Sequence, residues 1–261
     1  MSLLHKALGF LASRNRLSLP AEPPPESWPG IIRRNVPLAR RFSREERDLH
    51  LKLTQLLLSE VPFEGCAGLE VTEEMRVTIG ATACLLLVKL TYPRFLDLRR
   101  VLIYPGTFVP VRPETRHSVM AEVEETESET LGEAWHDGIV VLSWEQVEYD
   151  VANPDDGRNV VLHEFAHVLD HEDGYADGVP VLDGEALTKD WSRVLHAEFG
   201  KQRRVVEKDT PAALDDYAAT DRAEFFAVAT EAFFEAPVYV RDNLPRLYEQ
   251  LSRYFRQDPA G

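Results

Sequence analysis

Residues 158–174 read Arg158-Asn-Val-Val-Leu-His163-Glu164-Phe-Ala-His167-Val-Leu-Asp170-His-Glu-Asp-Gly174. The apolar residues Val160, Val161, Leu162, Phe165, Ala166, Val168 and Leu169 predict a helix from about Arg158 to Asp170, and Gly174 supplies a stop. Asn153-Pro-Asp-Asp-Gly157 resets the backbone just before it. Within that helix, His163-Glu164-Phe-Ala-His167 is an H-E-x-x-H motif. Positions i and i+4 lie one turn apart on one face, so both imidazoles reach a single ion. Glu164 projects beside them and can take a proton from a zinc-activated water.

A catalytic zinc needs a third protein ligand and an open position. His171 follows His167 by four residues and reads as a helix C-terminal cation. Asp173 occupies the place of the last histidine in H-E-x-x-H-x-x-G-x-x-H, but Asp170 replaces the glycine that permits the turn. Glu224, in Asp221-Arg-Ala-Glu224-Phe-Phe-Ala227, is the third candidate. Its apolar surroundings predict a buried helix, where a carboxylate needs a cation, although Asp221 and Glu224 also read as a helix-capping pair. Glu231 lies seven residues on and suits either a partner of a ligand or an ordinary surface acid. Tyr217 stands seven residues before Glu224, as an oxyanion donor or as a core residue. Asp170 suits a hydrogen bond to a ligand histidine or plain solvation of the helix end.

Outward from the motif, Gly138–Trp144 is the clearest strand, placed as an edge strand onto which a peptide adds main-chain hydrogen bonds. Val101–Tyr104 and Phe108–Val111 predict one or two short strands around Pro105-Gly106. Glu122–Glu133 is acidic and reads as an exposed loop or solvent-facing strand. Two helices precede these, one from Ser43 to about Glu60 with a Ser43/Glu46 capping box, one over Thr72–Leu90 ending at Thr91-Tyr-Pro93. Residues 20–30 carry five prolines and read as an extended connector.

The 261 residues carry a formal charge of −15, of which residues 1–44 contribute +6 and the remainder −21. An acidic body excludes broad, direct nucleic-acid binding through phosphates. Cys66 and Cys84 cannot make a disulfide framework. Neither a signal peptide nor a transmembrane segment is expected, so the chain reads as soluble and cytoplasmic. We expect residues 1–43 to form a basic, Pro-rich arm and residues 44–261 to form one domain.

Taken together, His163-Glu-Phe-Ala-His167-Val-Leu-Asp170, Gly178-Val-Pro180, Trp191, Asp216-Tyr217-Ala-Ala and Ala223-Glu224-x-Phe226-Ala-Val228 with Glu231-x-Phe233-Phe234 strongly resemble the Mlc titration factor A family of bacterial zinc peptidases. Val101-Leu-Ile-Tyr-Pro105 and Ile139-Val-Val-Leu142-x-Trp144 extend the resemblance over roughly residues 45–258. It implies an α+β fold: a zincin-like metallopeptidase domain with N-terminal helices, a small sheet and the H-E-x-x-H helix. The core then looks like that of anthrax lethal factor, with Zn²⁺ on His163, His167 and Glu224, and Glu164 and Tyr217 as catalytic groups. The implied activity is aminopeptidase-type hydrolysis of small peptides. The implied partner is a DNA-binding glucose repressor of the Mlc type, which the protein sequesters. One departure is Glu124, which stands where some relatives carry a histidine upstream of Trp135. The alternative is a non-catalytic, repressor-sequestering protein with a structural or vestigial zinc site. Glu164 argues for catalysis, since a structural site needs no general base.

Overall fold

The computed structural model describes residues 20, 22–90, 95, 98–106, 132–135 (backbone) and 138–261. Helix α1 (Trp28–Asn35) has Pro29 in its first turn, where a missing N–H costs nothing, and a 3-10 turn over Pro37–Arg41 follows. Both bury apolar side chains, among them Trp28, Ile31, Ile32, Leu38 and Ala39, so the hydrophobic core takes in side chains from residue 28 onward. The extended connector is correspondingly shorter than the prolines suggest.

Helix α2 (Arg44–Glu60) starts where the capping box places it. The Ser43 N–H donates to Glu46 Oε2 at 2.7 Å, and the Glu46 N–H donates to Ser43 Oγ at 3.2 Å. A short strand, β1 (Phe63–Gly65), leads to α3 (Glu73–Cys84), whose N-cap is Thr72. The expected helix to Leu90 ends six residues early. Beyond Cys84 the chain closes in i to i+3 turns, and Gln257 Nε2 donates to the Leu85 carbonyl at 2.8 Å. The C-terminal segment thus satisfies an acceptor that a continuing helix would have used internally.

Three further strands complete one sheet: β2 (Arg100–Tyr104), β3 (Gly132–Trp135) and β4 (Ile139–Ser143). The order is β1-β2-β4-β3, with β1, β2 and β4 parallel and β3 antiparallel to β4. Val101 pairs with Val140 and Ile103 with Leu142, and all four are fully buried. A strand covered on both faces reads as a continuous apolar run, which is why Ile139–Leu142 looks so clear in the sequence. That same burial corrects its placement. Strand β4 is hydrogen-bonded on both sides, and among the described residues the outer strands are β1 and β3, the latter pairing its Trp135 with Ile139. Trp144 belongs instead to the next helix, α4 (Trp144–Ala152), because Ser143 Oγ caps it by accepting from the Gln146 N–H at 3.3 Å. Phe108–Val111, Tyr92-Pro93, the acidic stretch through Glu129 with Glu124, and residues 1–19 of the basic arm lie outside the described residues.

The functional helices follow. Helix α5 (Val160–Asp170) carries H-E-x-x-H, and a 3-10 turn (His171–Asp173) ends at Gly174 with φ +91°. Helix α6 (Glu185–Val206) is the longest among the described residues and has no counterpart among the sequence expectations. Its buried Trp191, Val194, Leu195, Glu198 and Gln202 recur at helical spacing, interrupted by two polar residues that mask the apolar stripe. A 3-10 turn over Asp216–Ala219 leads into α7 (Arg222–Glu235), which is buried on nearly all sides. Helices α8 (Pro237–Asn243) and α9 (Pro245–Phe255) follow; Phe255 stacks on Phe233 and meets Phe234 edge-on, and Tyr248 packs tilted against Phe233. The architecture is a mixed α+β domain, helical with a small, mostly parallel sheet. Among the described residues no helix is long and apolar enough to cross a membrane.

Candidate metal centre

Asn159 starts α5 by accepting the Leu162 N–H on Oδ1 at 3.1 Å, and Asp150 Oδ2 accepts the Val160 N–H at 2.7 Å. These caps satisfy donors at the buried helix start. From that start, the helix places His163 and His167 on one face with their Nε2 atoms 3.2 Å apart. Helix α7 brings Glu224 against them. Its Oε2 lies 3.0 Å from His163 Nε2 and 3.4 Å from His167 Nε2. Among the described residues these are the three side chains whose donor atoms cluster within 4.8 Å. His171 and Asp173 stand outside the cluster, and Asp173 instead accepts the Tyr175 N–H at 3.0 Å.

The arrangement fits a metal ion. Tetrahedral zinc with bonds of about 2.0–2.1 Å separates its ligand atoms by about 3.3 Å. The three separations here are 3.0, 3.2 and 3.4 Å. Glu231 Oε1 lies 2.7 Å from His163 Nδ1. That contact leaves Nδ1 as the donor and turns the Nε2 lone pair toward Glu224 and His167, the tautomer a metal requires. Glu231 is thus a partner of His163 rather than a surface acid. The electrostatics agree. Burial lowers the affinity of His163 for a proton, but the carboxylates of Glu231, Glu224 and Glu164 outweigh it and favour positive charge there. Burial works against ionised Glu224 too, yet contact with His163 and His167 holds its carboxyl well below the ordinary range.

Asp221 caps α7 by accepting the Glu224 N–H at 2.9 Å. The capping half of the expected pair is present, while the Glu224 side chain turns to the histidines. Glu164 is only 2% exposed, and its charge acts on both His163 and Tyr217. Tyr217 is 54% exposed, its ring centroid 6.1 Å from that of His163. It is therefore a surface residue beside His163 and not a core one. Partial burial, then the charges of Glu224, Glu164 and Asp221, push its phenol up to about 12, so it stays a proton donor at neutral pH. Asp215 accepts the Tyr217 N–H at 2.9 Å and is itself paired with Arg158, while Gln202 Nε2 donates to the Asp215 carbonyl at 2.9 Å. Edge strand β3 packs beside α5.

Asp170 takes neither expected role. It is fully buried, and its Oδ2 accepts the Gly178 N–H at 2.9 Å. The Gly178 carbonyl accepts from Trp191 Nε1 at 2.8 Å. Gly178 has φ +76°, and a Cβ there would come within 2.4 Å of the Arg222 carbonyl, so only glycine fits this crossing just before Glu224. Burial pushes the Asp170 carboxyl up to about 7. Its folded-state value exceeds the unfolded one of about 3.9. The stability it contributes is therefore complete below pH 4 and lost as pH rises through 7. Asp170→Asn is expected to flatten that part of the stability profile, raising stability at pH 8 relative to wild type. Urea melts of both proteins at pH 5 and pH 8 check this; parallel profiles would refute it.

Asn159, Asp150 and Glu235 escaped the sequence reading. The spacing Glu224, Glu231, Glu235 (seven, then four) is the signal that marks one acidic face of α7.

A helix bearing H-E-x-x-H, completed by a carboxylate from a later helix, defines a metallopeptidase-type centre. The chain belongs to the glucose-regulated metallo-peptidase M90 family, whose model matches residues 10–256. It is 35% identical over 241 residues to an uncharacterised protein of Synechocystis sp., covering 91% of this chain and 86% of that one. It is 29% identical over 240 residues to Mlc titration factor A of Salmonella typhimurium and of Salmonella gallinarum, covering 90% of this chain and 88% of theirs.

Proposed function

We propose that this protein is a zinc-dependent, zincin-like peptidase of the cytoplasm that hydrolyses small peptides in aminopeptidase fashion. The carrying observation is the convergence of His163 Nε2, His167 Nε2 and Glu224 Oε2 with Glu164 buried alongside. Those three side chains would hold Zn²⁺, which when bound polarises the scissile carbonyl and acidifies a water. Glu164 takes the proton from the attacking water and returns it to the leaving amine. Tyr217, protonated across the neutral range, donates a hydrogen bond to the oxyanion of the tetrahedral intermediate. Glu231 keeps His163 oriented throughout. The outer side of β3, unpaired among the described residues, offers main-chain groups to an extended peptide. The charge of −15 favours substrates with cationic N-termini.

A second role rests on the relatives named Mlc titration factor A. The acidic body suits the basic surface of a DNA-binding repressor of the Mlc type, and binding can coexist with hydrolysis. Metal analysis of the purified protein, with assays on short peptides carrying free or blocked N-termini, tests the first role. One zinc per chain and preference for free N-termini are expected. A chain that takes up no zinc, or hydrolyses nothing before and after zinc loading, would overturn it. Titration against an Mlc-type repressor tests the second.

A further inference from the structure

Helix α7 presents Glu235 as well as Glu231 to the start of α5, one turn apart. Both meet the same residue. The Asn159 backbone N–H donates to Glu231 Oε2 at 2.6 Å, and Asn159 Nδ2 donates to Glu235 Oε1 at 2.9 Å. Asn159 Oδ1 meanwhile caps α5. Its amide is thus held at both ends: by the helix on the oxygen side and by Glu235 on the nitrogen side. Glu231 passes the constraint on, since its other oxygen lies 2.7 Å from His163 Nδ1.

Glu235 is a costly residue to place here. It is 5% exposed, and Oε2 has no hydrogen-bond partner among the described residues. It lines a small pocket together with Asp150, Val147 and Val161. Burial pushes its carboxyl up to about 9, so it serves Asn159 as a neutral acceptor and not as a charge. A buried polar group with an unused oxygen is expensive unless its other contact matters.

We propose that Asn159 and Glu235 are positioning residues for the metal centre, locking the Glu231 carboxylate that orients His163. The inference rests on the metal reading of His163, His167 and Glu224, and it extends the centre's support one turn beyond Glu231 along the same face of α7.

The test is zinc affinity, measured by competition with a chromophoric chelator, alongside thermal melting of the metal-free proteins. Glu235→Leu is expected to weaken zinc binding about tenfold. Glu235→Gln keeps the acceptor and the volume, and its affinity should stay within twofold of wild type. Asn159→Ser keeps a cap oxygen and the backbone N–H but drops the contact to Glu235, and should also weaken zinc about tenfold. Because both variants break one link, the double variant should bind no worse than either alone. Should Glu235→Leu fail to fold, the Asn159→Ser and Glu235→Gln pair decides. Wild-type affinity in the Leu and Ser variants, additive losses, or no rescue by Gln would overturn the inference while leaving the metal reading intact. A wild-type chain that binds no zinc would overturn both.

Discussion

Glu164→Gln is expected to lower peptide hydrolysis by a factor of about 10²–10⁴, the range for losing a positioned general base. Zinc content should not change, because the three clustered donors are His163, His167 and Glu224. Gln matches Glu in size, so the packing around a residue only 2% exposed is preserved. What disappears is the basicity that removes a proton from water. The charge of Glu164 also acts on Tyr217, helping to hold its phenol near 12. Removing that charge leaves Tyr217 a donor at neutral pH, so the loss there reports the proton transfers of Glu164 itself. The comparison is kcat/KM for wild type and variant on one peptide, with metal content measured on the same samples. Activity within tenfold of wild type at full zinc occupancy would sink the assignment of Glu164. Survival of repressor binding in the inactive variant would separate the two proposed roles.

Trp191→Ala is expected to destabilise the protein by about 3–5 kcal/mol, the usual cost of emptying a large aromatic site. Trp191 is 1% exposed and packs edge-on against Phe226 and Tyr254, with centroids 5.7 and 5.5 Å away. Its indole N–H also holds the Gly178 carbonyl. Trp191→Phe keeps most of the apolar contact but strips that acceptor of its buried donor, at about 1–3 kcal/mol. The difference between the two variants separates packing from hydrogen bonding. The loop at Gly178 crosses the Arg222 carbonyl, two residues before Glu224, so both variants should also weaken zinc binding. Equilibrium unfolding in urea checks the stabilities. A cost below 1 kcal/mol for the alanine variant would show that the site collapses onto itself and that the crossing does not depend on Trp191.

Local rules made much of this chain legible. Ser43, Thr72 and Asp221 each stand where a helix begins, because capping joins a side chain to a backbone N–H two or three residues away. The early end of α3 was not legible, since the group that takes the Leu85 carbonyl comes from Gln257. The apolar run Ile139–Leu142 announced a strand but not its neighbours. Burial on two faces removes the alternation that distinguishes an edge from a centre. At Asp170, spacing suggested a ligand partner or solvent, and the actual partner was the backbone of a glycine held by Trp191.

The H-E-x-x-H spacing by itself determined that two imidazoles share a helix face, because 3.6 residues per turn is a property of the backbone alone. The order of Glu224, Glu231 and Glu235 likewise determined that three acids share a face of α7. Only the tertiary structure decided their separate roles. How α7 lies across α5 brings Glu224 to the Nε2 atoms, Glu231 to Nδ1 of His163 and Glu235 to Asn159. That packing is decided by side chains far apart in the chain, and no local periodicity encodes it.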